Sequence, residues 1–140
     1  MEQRDYLKRQ IDQIGVVLGY LIAYLLNLKT GTIDSIGVEK VRQVLNSEFD
    51  IDIDTFLTCK FEDIIHILNK KGFDYEDINK LVEILVIIAD NMNTNNSKKN
   101  ALYQLCLKLD EYIIKESSTF SFERHFRMEQ IKKYVSNTTF

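Results

Sequence analysis

Apolar residues recur at spacings of three and four along nearly the whole chain, which is the pattern of amphipathic α-helices. None of the long segments shows a sustained alternation of apolar and polar residues, which would indicate half-buried strands. The periodicity predicts six helices, at residues 2–28, 35–47, 60–71, 75–92, 97–116 and 121–136. We therefore predict an all-α fold of about six antiparallel helices.

Residues with strong preferences for helix ends separate several of these segments. Gly72 stands where a left-handed C-terminal cap is expected, and Phe73 can then contact Leu68. Asp74 is a good N-cap for the next helix, with Asp77 in its first turn. Residues 60–92 are therefore predicted to form a tight helix–turn–helix.

The last predicted helix is capped by Ser121 and has two faces of different character. We expect its buried face to carry the large apolar residues, which are Phe122, Phe126, Ile131, Tyr134 and Val135. The basic residues are expected to face solvent, and they are Arg124, Arg127, Lys132 and Lys133.

The first predicted helix contains an apolar run at residues 14–26. A helix of that length spans only about 20 Å, less than the roughly 30 Å hydrocarbon core of a bilayer. We interpret it as a long apolar N-terminal helix that is buried in the fold. Gly15, Gly19 and Ala23 form a strip of small residues along it, where another helix of this chain or of a second copy can approach closely.

The composition fits one globular domain over residues 1–140, with 45% hydrophobic and 28% charged residues and no proline. We divide it into the apolar N-terminal helix at 1–30, a helix with an acidic linker at 31–59, and helical hairpins at 60–140. The net charge is −3, and no segment carries a dense Lys/Arg stripe, so nucleic acid is not an expected partner.

Candidate chemistry is sparse. Cys59 and Cys106 lack a CxxC spacing and are interpreted as reduced thiols of a cytoplasmic protein. Asp50, Asp52 and Asp54 alternate as at the start of a calcium loop, but Thr55 and Phe61 replace the glycine and glutamate that such a loop requires. We predict no metal, no cofactor and no catalytic residues. The alternative hypothesis is an enzyme or small-ligand-binding site, formed only in the fold, near Cys59, His66 and Asp50 to Asp54.

Residues 82–115 resemble a single degenerate tetratricopeptide repeat. The positions that match its packing pattern are Leu85, Ile88, Ala89, Met92, Ala101 and Leu105. Lys108 departs from the pattern, and the closing proline is missing. The chain as a whole is similar to a family of uncharacterised bacterial helical proteins, through the segments DYLKRQIDQIG, FEDIIHILNKKG and TFSFER.

These resemblances imply a tetratricopeptide-like helical fold and bring no known activity. We expect a non-catalytic scaffold that binds another protein or peptide, or a second copy of itself as a homodimer. The groove-lining residues under the repeat alignment are Glu83, Val86, Asp90 and Asn93. The acidic residues among them favour a basic or amide-rich peptide.

Overall fold

A computed structural model describes residues 2–28, 35–92 and 96–138. The helices in these ranges are α1 (Glu2–Asn27), α2 (Ser35–Phe49), α3 (Ile53–Thr58), α4 (Phe61–Lys70), α5 (Tyr75–Asp90), α6 (Asn96–Ser117) and α7 (Phe122–Thr138). The all-α prediction is confirmed, and the part of the chain described contains no strand. It has seven helices where the sequence pattern predicts six, because the acidic linker contains α3.

The helix α3 forms in the linker because its first turn is capped. The Asp52 side chain accepts a hydrogen bond from the backbone N–H of Asp54, at 3.1 Å. Ile53 and Phe56 are buried and hold this short helix on the core. Of the linker acids, Asp52 is therefore the N-cap of this helix and Asp54 lies in its first turn.

The predicted caps at residues 72 and 74 are confirmed. Gly72 has a φ of 89°, and the N–H of Phe73 donates to the carbonyl of Leu68 at 3.1 Å, as in a Schellman motif. Asp74 accepts from the Asp77 N–H at 2.8 Å, while Asp77 accepts from the Asp74 N–H at 3.0 Å. This reciprocal capping box fixes the start of α5.

The core is centred on α5, which packs mainly against α1 on one side and α6 on the other. The short connection between α5 and α6 makes them an antiparallel hairpin, and α7 packs against α6. Buried leucines and isoleucines of α5 fill the centre of the core, including Ile78, Leu81, Ile84, Leu85 and Ile88.

The helix α1 buries one face and exposes another. Ile14, Leu18, Leu21 and Leu25 are buried, as the spacing predicts, whereas Val16, Tyr20 and Leu26 are 65–71% exposed. The prediction of a long apolar helix that is buried in the fold is therefore not confirmed, because α1 exposes large apolar side chains on its outer face. Among the described residues, none of the helices combines the length and apolar character of a membrane span.

Candidate functional site: the groove between α5 and α7

Two of the predicted groove residues line a cavity between α5 and α7. Val86 and Asp90 follow one face of α5 at a spacing of four, and both contribute to its wall. Glu83 is half-buried on the same face but is not among the lining residues, and Asn93 lies outside the described residues. The cavity has a volume of about 260 Å³.

The opposite wall is formed by α7, and Tyr103 of α6 also contributes to the cavity. The α7 residues that line it are Phe126, Arg127, Gln130, Ile131 and Tyr134. Phe126 is 66% exposed, although it is large and apolar. The site thus combines aromatic side chains with a carboxylate and a guanidinium.

Tyr103 links the aromatic side of the cavity to its acidic end. Its hydroxyl donates a hydrogen bond to Oδ1 of Asp90. Burial, and then the hydrogen bond to Asp90, raise the pKa of Tyr103 above its usual range, so the hydroxyl keeps its proton. The rings of Tyr103 and Tyr134 lie with centroids 4.7 Å apart at 59°. Lys99 places its Nζ 6.0 Å from the Tyr103 centroid and 5.1 Å from that of Tyr134.

Arg127 is held in place by a buried polar network. Its Nε donates to Asp110 Oδ2 at 3.0 Å, and its Nη2 donates to Asp110 Oδ1 and to Asn79 Oδ1, the latter at 2.9 Å. Asp110 is fully buried; burial raises the pKa of its carboxyl, and the Arg127 guanidinium opposes that rise. The charge of Arg127 is therefore balanced inside the fold.

The predicted orientation of α7 is wrong in its first turns, whereas Ile131 is buried and Lys132 and Lys133 are exposed, as predicted. Phe122 is 81% exposed and Phe126 is also largely exposed, whereas Arg124 and most of Arg127 are buried. Arg124 donates from Nε to Asn79 Oδ1 at 3.4 Å and from Nη1 to the carbonyl of Thr119 at 3.3 Å. Hydrogen-bond acceptors on α5, on α6 and in the preceding turn satisfy the two guanidinium groups, which allows this face of α7 to turn inward.

The strip of small residues on α1 contacts α5 at one end only. A Cβ on Gly15 would lie 3.2 Å from Asp77 Oδ1 and 3.3 Å from Lys80 Nζ. A Cβ on Gly19 would have no described atom within 4 Å, and Ala23 is exposed. Within the described chain, close helix packing therefore involves Gly15 and does not extend to Gly19.

In the linker region, the acids proposed for an alternative site have structural contacts. Asp52 caps α3, and Asp54 forms ion pairs with Lys98 at 2.6 Å and Arg42 at 3.4 Å. The hydrogen bond from Lys98 lowers the pKa of Asp54. Asp50 is exposed, with a positive φ of 55°. Over the described ranges, no group of three or more His, Cys, Asp or Glu side chains is placed to hold a metal ion.

The cavity beside Cys59 does not include His66 in its lining. Cys59 is half-buried beside a cavity of about 180 Å³ between α3, α4 and α6, and His66 is exposed and not part of its lining. The second thiol, Cys106, is fully buried, which raises its pKa well above the usual range. A buried protonated thiol is a poor nucleophile.

Comparison of the chain with models of known protein families, with curated proteins and with solved structures gives no match.

Proposed function

We propose that this chain is a non-catalytic helical scaffold and that the groove between α5 and α7 binds a segment of another protein. The observation that carries the proposal is the cavity of about 260 Å³, where exposed Phe126 stands opposite Val86 and Asp90. Exposed aromatic side chains around a concave, partly charged site are typical of protein-binding surfaces.

A tetratricopeptide-like arrangement of the helices is part of the same proposal. In it, α5 and α6 form the hairpin of one repeat, and α7 takes the position of the first helix of the next. Such helix pairs present their first helices to a concave binding surface. Glu83, Val86 and Asp90 lie on the corresponding face of α5. The two free cysteines suit a protein of the reducing cytoplasm.

The test compares two exposed phenylalanines that lie one turn apart on α7. Phe126 lines the cavity and Phe122 does not. The assay is crosslinking of the chain to its neighbours in cells that naturally produce it. We expect proteins that crosslink to the wild-type chain to be missing from the Phe126→Ala variant, because the truncation removes much of the contact between the aromatic ring and the partner. The Phe122→Ala variant should retain the same proteins.

Thermal unfolding of both variants is the control for folding, since both side chains are mostly exposed and truncation should change stability little. Identical crosslinked proteins for wild type and both variants would contradict binding in the groove. Loss of the same proteins in both variants would contradict it as well, because the effect would not be specific to the cavity.

A second copy of the chain is the alternative partner, through the outer face of α1. Val16, Tyr20 and Leu26 are exposed there, and Gly19 and Ala23 between them allow a helix to approach closely. Val16→Arg would place a charge in such an interface. We expect it to lower the mass measured by light scattering if the wild type is a dimer; a dimer unaffected by this variant would exclude the α1 face.

A further inference from the structure

We propose that the cavity between α5 and α7 receives a lysine side chain of the partner protein, with the lysine ammonium on Asp90. The aliphatic stem would lie against Val86, Phe126 and Ile131. This inference rests on the proposed function, and it names the chemistry by which the groove selects its partner.

The size of the cavity fits one side chain. Sites for small molecules usually enclose about 300–1,000 Å³, and this cavity has about 260 Å³. It is open at one side, so a side chain can enter while its backbone remains in the groove. Apolar walls and one acidic end match a lysine, which has a four-carbon stem and a terminal charge.

The charges that face the cavity favour a cation. Arg127 lines it, but this guanidinium is neutralised by buried Asp110 and also donates to Asn79. Asp90 is exposed and accepts a hydrogen bond only from the neutral Tyr103 hydroxyl among the described residues. Half-buried Glu83 adds a second acid to the same face of α5. The two carboxylates make the α5 side of the groove negative, and the Lys99 ammonium lies over the Tyr103 and Tyr134 rings without lining the cavity.

The aromatic rings point to the same ligand. The faces of aromatic rings attract cations, and aromatic side chains with a nearby acid are a known means of binding alkylammonium groups. The chain itself provides an example, because the Lys99 ammonium lies over the rings of Tyr103 and Tyr134. Lys99 is not among the residues that line the cavity, so it leaves the cavity open.

Lysine fits this site better than arginine. Oδ1 of Asp90 is engaged by Tyr103, and Oδ2 has no hydrogen-bond partner among the described residues. A bidentate guanidinium would have to share Oδ1 with the Tyr103 hydroxyl, whereas an ammonium can be bound by Oδ2 alone. The exposed carboxylate can thus bind an ammonium without giving up its contact to the tyrosine.

The experiment is a titration of the full chain with N-acetyl-lysine methylamide, followed by two-dimensional ¹H–¹⁵N NMR. We expect saturable shifts of the amide signals of Asp90, Tyr103 and Ile131, with millimolar affinity. The norleucine analogue keeps the stem without the charge, and it should bind at least about fivefold more weakly, the effect of about 1 kcal/mol for a partly exposed ion pair. The arginine and glutamate analogues should also bind more weakly.

Two variants make the test specific to Asp90. Asp90→Asn keeps an oxygen that accepts from Tyr103 and removes only the charge, so it should weaken lysine binding about fivefold. Glu76→Gln removes an equal charge from an exposed position in the first turn of α5 and should leave binding unchanged. Equal binding by wild type and Asp90→Asn, or equal shifts with lysine and norleucine, would overturn the inference. Tighter binding of the glutamate analogue would overturn it too.

The two proposals fail separately. If lysine does not bind the cavity but the crosslinked proteins are still lost in Phe126→Ala and kept in Phe122→Ala, the groove is a binding site for a different side chain. If lysine binds the cavity while both variants keep the same crosslinked proteins, the lysine site is real and the proposed function is wrong.

Discussion

The outer face of α1 and the groove between α5 and α7 both expose large apolar side chains, yet their surroundings differ. On α1, Val16, Tyr20 and Leu26 project from a single helix, with no described atom near the position that a Cβ on Gly19 would occupy. In the groove, Phe126 faces a cavity that also contains a carboxylate, a tyrosine hydroxyl and a guanidinium.

The comparison shows that exposed apolar surface alone does not select a particular partner. The hydrophobic effect depends on the area removed from water and has no direction, so the α1 face favours any partner that covers it. The groove adds Asp90, whose charge and hydrogen-bond geometry distinguish one partner side chain from another. Exposed apolar residues can mark an interface, whereas polar groups of fixed position determine which chemistry it accepts.

The largest change in stability is expected from removing the buried ion pair between Arg127 and Asp110, which holds α7 against α6. Arg127→Met leaves the fully buried Asp110 without its ion pair. Breaking a buried pair by removing one partner costs roughly 3–5 kcal/mol, so we expect the free energy of unfolding in urea to fall by about that amount. Lys133→Met, at an exposed position of the same helix, should change it by less than about 0.5 kcal/mol.

The double variant Arg127→Met/Asp110→Leu sharpens this prediction. It removes both charges, and replacing a buried ion pair by apolar residues is often neutral or stabilising. We therefore expect it to recover most of the stability that Arg127→Met loses. If Arg127→Met unfolds at the same urea concentration as the wild type, the network does not hold α7 in place and the account of the groove is wrong.

A smaller change in stability is expected at Asp77, where α1 meets α5, and this change depends on pH. Burial raises the pKa of Asp77 from an ordinary value of 3.8 to about 6, and the neighbouring charge of Asp74 contributes to the rise. Between pH 4 and about 6 the folded chain binds more protons at this site than the unfolded chain does. The contribution of Asp77 to stability is therefore greatest below pH 4 and is lost as the pH rises through about 6.

Asp77→Asn tests this linkage, because asparagine can still accept the N–H of Asp74 but does not titrate. As the pH is lowered from 7 to 4, the wild type should gain stability relative to the variant, by on the order of 1–2 kcal/mol. Urea unfolding of both proteins at several pH values measures the gain. If the difference in unfolding free energy between the two proteins stays constant over this range, burial does not raise the pKa of Asp77.

The smallest changes in stability are expected when each of the two glycines of α1 is replaced by alanine. Replacing a helical glycine by alanine usually stabilises by roughly 0.5–1 kcal/mol. We expect Gly19→Ala to gain this amount, because its Cβ would meet no described atom within 4 Å. Gly15→Ala should gain less, since its Cβ would lie 3.2 Å from Asp77 Oδ1. Thermal unfolding measures both changes.

Gly19→Leu extends the comparison to self-association. In a single chain the larger side chain should be tolerated, whereas in an interface between two copies it should overpack and reduce the mass measured by light scattering. A loss of thermal stability without a change in mass would mean that another part of the same chain packs against Gly19, contrary to the geometry described above.

The helical class, several helix ends and the buried face of α1 could be predicted from the sequence. These features depend on signals within a few residues of one another: the spacing of Ile14, Leu18, Leu21 and Leu25, the freedom of Gly72 to adopt a positive φ, and the hydrogen bonds that Asp74 and Ser121 accept from nearby N–H groups. Local steric and hydrogen-bonding rules are sufficient to predict them.

Which side chains are buried in the first turns of α7, and therefore which residues line the groove, depends on packing between helices that are distant in the sequence. By pattern alone, Phe122 and Phe126 favour the core and Arg124 and Arg127 favour solvent. The outcome was reversed by Asp110 and Asn79, which lie 17 and 48 residues from Arg127 and satisfy its hydrogen bonds. A buried charge is stable only with a partner in place, and partners so distant in the sequence meet only when α5, α6 and α7 have packed together.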